Sequence, residues 1–136
     1  MSNSALDDLG KLVLRLTVGI LLLLHGIFKL SHGIGGIEGM LVAKGLPAFF
    51  AWGAYVGEVI APILVILGIY ARLGGLLVVA NMLVAIGLAH MGQLGLINGM
   101  GGWQLELQGL FLFGGLAIAL MGAGRFSLGG SGGRWN

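Results

Sequence analysis

Five ionisable side chains in this sequence lie within or at the end of long apolar stretches, where they could do chemistry. They are His25, Lys29, Glu58, His90 and Glu106. An ionisable residue inside a membrane-grade apolar segment is costly, and it is by default a candidate for function. A histidine and a carboxylate in one pocket make a proton-exchanging pair near neutral pH. We therefore treat these five residues as a candidate ligand-binding group.

The composition is that of a membrane protein. Hydrophobic residues make up 57% of the 136 residues and charged residues 9%, whereas a soluble domain carries about 25% charged residues. The net charge of +2 comes without a basic cluster, so nothing indicates nucleic acid as a partner. There is no cysteine, which excludes disulfides, thiol redox chemistry and cysteine-ligated metals.

Four apolar runs predict an all-α, integral membrane four-helix bundle in a single domain, residues 1–136. About 20 apolar residues cross a bilayer, with a lower limit near 17. A short stretch between the first two runs, residues 37–44, is too brief and polar to span, and we expect a short interfacial helix there. The predicted membrane helices cover residues 12–29, 48–71, 73–91 and 103–122, followed by a tail, 123–136. We expect the last part of this tail, GGSGGRWN at 129–136, to be flexible.

Three other residues in the apolar runs have simpler interpretations. Arg15 lies near the end of the first run, where its side chain can reach the headgroups. Asn81 lies in mid-membrane, where an amide commonly joins two helices. Pro62 lacks an N–H, so it leaves the carbonyl of Glu58 without its usual helical donor.

The cation distribution predicts the orientation in the membrane. Four spans place both termini on one side, and five cations lie near that side: Lys11, Arg15, Arg72, Arg125 and Arg134. Lys29 and Lys44 lie on the other. The positive-inside rule then predicts that both termini lie in the cytoplasm.

Depth in the bilayer predicts which polar residues can meet. At about 1.5 Å per residue, His25, Glu58, His90 and Glu106 fall in the outer half, within about 11 Å of one another in depth. We expect His25, His90 and Glu106 to converge on one outward-facing cavity, with Glu58 as the deepest member. A purely structural His–Glu network that fixes helix packing is the alternative.

A set of short motifs follows in order along the chain: Leu14-Arg15-Leu16, Gly19, His25-Gly26, Lys29-Leu30, Gly45-Leu46-Pro47, Glu58, Leu67-Gly68, Arg72, Met82, Ala85, His90, Gly102, Glu106-Leu107, Gly122, Gly124-Arg125 and Ser127-Leu128. This ordered set resembles the motifs of the DoxX family of small four-helix membrane proteins. The family's usual proline in the final turn is Ala123 here. The resemblance implies a protein of the bacterial cytoplasmic (inner) membrane associated with quinol oxidase or thiosulfate:quinone oxidoreductase systems, without a catalytic residue set that can be carried over.

The leading hypothesis is therefore a quinone-associated subunit of a membrane redox complex, with other membrane or periplasmic redox subunits as partners. A non-catalytic partner or assembly subunit is the first alternative, and a homo-oligomer is also open. A haem b held between His25 and His90 is a further alternative, because haem takes two imidazoles across a bundle core. A small-solute transporter is the fourth.

Overall fold

The computed structural model describes residues 2–136, and these form five helices and no β-sheet. The predicted all-α bundle is confirmed, including the short helix between the first two long ones. The helices are α1 (Asn3–His32), α2 (Gly35–Ala43), α3 (Ala48–Leu67), α4 (Ala71–Gln93) and α5 (Glu106–Met121).

Three of these helices, α1, α3 and α4, are long and apolar enough to cross a membrane, and α5 is a shorter apolar helix. Their outward faces carry large apolar side chains. On α5, for example, Leu110, Phe113 and Leu120 are 71%, 61% and 70% exposed. Contiguous exposed apolar surface of this kind needs lipid around it, so the chain is a multi-pass membrane protein.

The helix ends differ from the predicted ones for local reasons. Helix α1 begins at Asn3 rather than at residue 12, because the Ser2 hydroxyl caps it by accepting from the Ala5 N–H at 3.2 Å. Helix α3 ends at Leu67, because Gly68 takes a left-handed conformation with φ of 70°, which stops a helix. Helix α5 begins at Glu106, after a loop, 94–105.

The bundle core lies between α1, α3, α4 and α5. Helix α4 packs against both α3 and α5, and α1 packs against α3 and α5. The backbones of α4 and α5 touch at a pair of glycines, where a Cβ on Gly75 would lie 2.6 Å from the carbonyl oxygen of Gly115. Such small residues allow close approach between helices in lipid. Buried core residues include Val18, Leu22, Val65, Val78 and Ile118.

Arg15 lies inside the protein, at the end of the bundle that holds both chain termini. It is 1% exposed. Its guanidinium donates to the carbonyls of Val65 and Ile66 at 2.9 and 3.1 Å, and to those of Ala123 and Phe126 at 2.8 and 3.0 Å. The expectation that Arg15 reaches the headgroups was wrong, because the last carbonyls of α3 and the chain after α5 lack helical donors and take the arginine as one.

The tail is packed rather than flexible. The Asn136 side chain is buried; its Oδ1 accepts from the Ala71 N–H at 2.9 Å and its Nδ2 donates to the Gly130 carbonyl at 2.6 Å. The Arg72 N–H donates to the Trp135 carbonyl at 2.9 Å. The segment after α5 therefore covers the connection between α3 and α4, whose free N–H groups need partners.

Candidate functional site

An ion pair joins α1 to α3 toward the other end of the bundle. The Lys29 ammonium donates to the Glu58 carboxylate. The Glu58 side chain is 7% exposed and that of Lys29 is 28% exposed. The Tyr55 hydroxyl donates to the backbone carbonyl of Lys29 at 3.3 Å, so a second contact holds the end of α1 against α3. The Lys29 ammonium has three N–H donors, and this hydrogen bond to Glu58 uses one of them. The other two can bind another partner.

A π turn in α3 positions Glu58. Residues Val56–Ile60 form this turn, and Pro62 follows directly in the next helical turn. The Ala61 N–H bonds the Val56 carbonyl, five residues back. A π turn widens a helix locally and is frequent at functional sites. Pro62 has no N–H to offer the Glu58 carbonyl, which is the sequence feature that predicted an irregularity here.

Gly26 lets α1 reach this irregular turn. A Cβ at position 26 would overlap the backbone carbonyl of Glu58 and would lie 2.9 Å from a methyl group of Val59. Only glycine fits this approach without a shift of one helix. Gly26 and Lys29 are three residues apart and so lie on the same face of α1. The contact at Gly26 brings α1 and α3 together, and Lys29 on the same face forms the ion pair with Glu58.

Gly57, the neighbour of Glu58, faces α4 and meets Asn81. A Cβ at position 57 would overlap the side chain of Asn81. The Asn81 Nδ2 is buried, and no hydrogen-bond partner for it exists among residues 2–136. An unsatisfied buried donor costs about 1–3 kcal/mol. The Asn81 nitrogen therefore makes no hydrogen bond to a neighbouring helix, and Asn81 contacts α3 by packing against Gly57.

A cavity of about 750 Å³ lies between α2, α3 and α4 and reaches Lys29 of α1. Volumes of about 300–1,000 Å³ are typical of small-molecule sites, as are apolar walls with a few polar groups. Its apolar walls include Leu41, Phe50, Leu77, Val84 and Leu88. The polar residues that line it include Lys29, Glu58, Asn81 and His90. Helix α2 packs against the start of α3 and the end of α4, and so supplies one wall of the cavity.

His90 stands in a second π turn, formed by Ile86–His90 of α4. Its Nδ1 lies 3.0 Å from the side-chain oxygen of Gln93. Because Gln93 Oε1 can only accept, Nδ1 carries the proton in this contact. The two π turns of the bundle thus each carry a polar residue that lines the cavity.

His25 does not line this cavity. Its Nδ1 is 3.0 Å from the Leu21 carbonyl, and its ring meets the ring of Phe111 edge-on at 5.7 Å between centroids. The physical reason is rotation about the helix axis. His25 precedes Gly26 by one residue and is turned from it by about 100°, so it faces α5 while Gly26 faces α3.

Glu106 does not line it either. It is exposed at the first residue of α5, and its carboxylate lies beside Gly102, where a Cβ would be 2.6 Å from Oε2. The expected convergence of His25, His90 and Glu106 on one cavity is therefore not found. The structure instead brings together Lys29, Glu58 and His90. Asn81 joins them as a fourth polar residue of the cavity. The only sign of this in the sequence was a polar residue within an apolar run.

The fold and this site define a small helical membrane protein with a ligand-sized cavity. The DoxX family profile matches residues 10–91, and the chain belongs to the DoxX family. It is similar to a Bacillus subtilis (strain 168) protein named "Putative oxidoreductase CatD", with 33% identity over 79 residues. That match covers 58% of each chain. No solved structure matches the chain. Lys29, Glu58, Asn81 and His90 lie within the family match, and Glu106 lies outside it.

Proposed function

We propose that this protein is an inner-membrane subunit of a respiratory redox system and that its cavity binds a quinone or a similar small ligand. The observation that carries the proposal is the cavity itself, about 750 Å³ in volume, with apolar walls and a few polar groups. A flat ring with an apolar substituent fills such walls, and its oxygens need donors at fixed positions. Lys29 and Asn81 are donors, and both line the cavity.

The polar residues have separate roles in this proposal. Lys29 keeps donors for a ligand oxygen while Glu58 balances its charge within the apolar surroundings. His90 also lines the cavity, at the far end of α4, and adds a polar group there. Reduction of a quinone takes up protons as well as electrons, and in this proposal the Lys29 ammonium is the proton donor at the ligand oxygen.

The electrons come from a partner in this account. The chain has no cysteine, so it cannot carry out thiol–disulfide exchange. A membrane or periplasmic redox subunit that docks on this protein would deliver or collect electrons at the bound ligand. The name of the Bacillus subtilis relative, an oxidoreductase, supports this placement in redox chemistry.

We place both termini in the cytoplasm and the cavity on the outer side. The support is the distribution of cations, with five near the end that holds the termini and two near the other end. The positive-inside rule, on which this orientation rests, counts cations close to the ends of the membrane helices. The cavity residue Lys29 and the connection 44–47 then belong to the outer half.

The test is the content of the protein after purification in mild detergent. Extraction with organic solvent should release quinone in an amount comparable to the protein, and a visible spectrum of the same sample tests for a haem Soret band. Ala54 lines the cavity, so Ala54→Phe should fill part of it and lower the quinone content. Ala117 of α5 lies away from the cavity lining, and Ala117→Phe is the matched control.

A quinone content that is lost in Ala54→Phe and kept in Ala117→Phe supports the proposal. Equal content in all three proteins means that the quinone came with the lipid. A protein with no quinone that also fails to take up added quinone overturns the proposal. A stoichiometric Soret band would assign the protein to haem chemistry instead.

A further inference from the structure

We infer that Asn81 is the specificity residue of the cavity, and that the ligand presents a ketone-type carbonyl oxygen to its amide group. The inference rests on the proposed function and names the chemical group of the ligand that Asn81 would recognise. Asn81 lies one residue after the cavity-lining Ala80 and opposite Gly57 of α3. The nearest cavity-lining residues on its own helix are apolar: Leu77, Ala80, Val84 and Ala85.

The side-chain amide of Asn81 carries an unsatisfied hydrogen-bond donor. Its Nδ2 is buried without a hydrogen-bond partner among residues 2–136. A primary amide has a donor side and an acceptor side, and rotation of the flat group exchanges them. A ligand carbonyl in the cavity would attract the NH₂ side, and the buried donor would then be satisfied.

The same rotation suits both redox states of a quinone. The carbonyl of the oxidised ligand accepts from the NH₂ group, and the hydroxyl of the reduced ligand donates to the amide oxygen. A serine or lysine could not offer both with the same planar geometry. Asn81 would therefore hold the ligand before and after reduction.

The spacing along α4 indicates how the rest of the ligand lies. Asn81 and His90 are nine residues apart, which is about 13 Å along a helix. This is longer than a single ring, so an oxygen held at Asn81 leaves an apolar remainder directed toward the His90 end. Leu41 of α2 and Leu88 of α4 line that part of the cavity.

Calorimetric titration of the full chain in nanodiscs tests the inference with two probes of similar size. Menadione has ring carbonyls, and methylnaphthalene has none. Asn81→Leu should bind menadione about tenfold more weakly, the effect of one lost hydrogen bond, and should bind methylnaphthalene as the wild type does. Leu88→Ala is the control, because loss of an apolar contact should weaken both probes to a similar degree.

Thermal unfolding without ligand checks that the variants fold. If Asn81→Leu does not fold, Asn81→Ala replaces it in the titrations. Equal loss of both probes in the Asn81 variants, or no loss of either, overturns the inference while the proposed function stands. A wild-type protein that binds methylnaphthalene but not menadione overturns both.

Discussion

Gly26 of α1 lies directly against the backbone carbonyl of Glu58, with no room between them for a Cβ. The contact is made at the π turn of α3, so the irregular turn and the glycine fit each other. Three residues further along α1, Lys29 pairs with the carboxylate of the same glutamate. The glutamate is thus fixed at its backbone and at its side chain by one helix.

Because Gly26 has no room for a Cβ, even its replacement by alanine should lower the stability of the protein. Gly26→Ala should destabilise the protein by about 1–3 kcal/mol, the cost of overpacking a close contact. The measurement is thermal or denaturant unfolding in detergent. Gly10 is the matched control on the same helix, because a Cβ there meets nothing within 4 Å. Gly10→Ala should leave stability unchanged or raise it slightly, and equal losses for both variants would contradict the packing account.

Arg15 should not be replaceable by lysine. Its planar guanidinium donates to four carbonyls from two segments, the end of α3 and the chain after α5, whereas a lysine ammonium offers three donors at one point. Since at least one buried carbonyl loses its partner, Arg15→Lys should cost about 1–3 kcal/mol of unfolding free energy. Arg125, which is exposed and pairs with Asp8, is the control. Arg125→Lys should change stability by less than about 1 kcal/mol, and a similar loss in both variants would argue against the role of Arg15.

The predictable part of this protein is the part that depends on hydrophobic burial. Long apolar runs and the glycine–proline stop at 45–47 were enough for the helix number and the short α2. The role of Arg15 was missed because its partners are carbonyls from segments far along the chain, which no local pattern shows. His25 was misplaced for a rotational reason. Residues of similar depth meet only if their helices turn them to the same side, and the rotation follows from contacts such as Gly26 with Glu58.

The Lys29–Glu58 pair should behave as a coupled unit. Lys29→Met or Glu58→Met alone leaves a charge without its partner, and we expect a loss of about 1–3 kcal/mol for each. The double variant should recover most of that loss, because an apolar pair of similar volume replaces an ion pair at little cost. A double-mutant cycle on unfolding free energies measures the coupling. Strictly additive losses would mean that the pair contributes nothing as a pair.

The orientation can be tested with single cysteines, because the chain has none of its own. Gly35→Cys and Gly99→Cys should react with a membrane-impermeant maleimide from outside, and Ser131→Cys should not. All three positions are exposed, and a Cβ at either glycine meets nothing within 4 Å. The reverse pattern would place the cavity on the cytoplasmic side. Labelling after detergent solubilisation controls for reactivity.

The most direct measurement of the central claim is photolabelling of the protein in nanodiscs with an azido-quinone, followed by peptide mass spectrometry. We expect labels to concentrate in segments 37–58 and 77–90, which contribute most of the cavity lining, and we expect excess unlabelled menadione to abolish this labelling. The peptide that contains Phe113 and Leu120 faces lipid and should carry only background label. Labels spread evenly over the lipid-facing surfaces of α1 and α5, and insensitive to the competitor, would contradict the claim that the cavity is a quinone site.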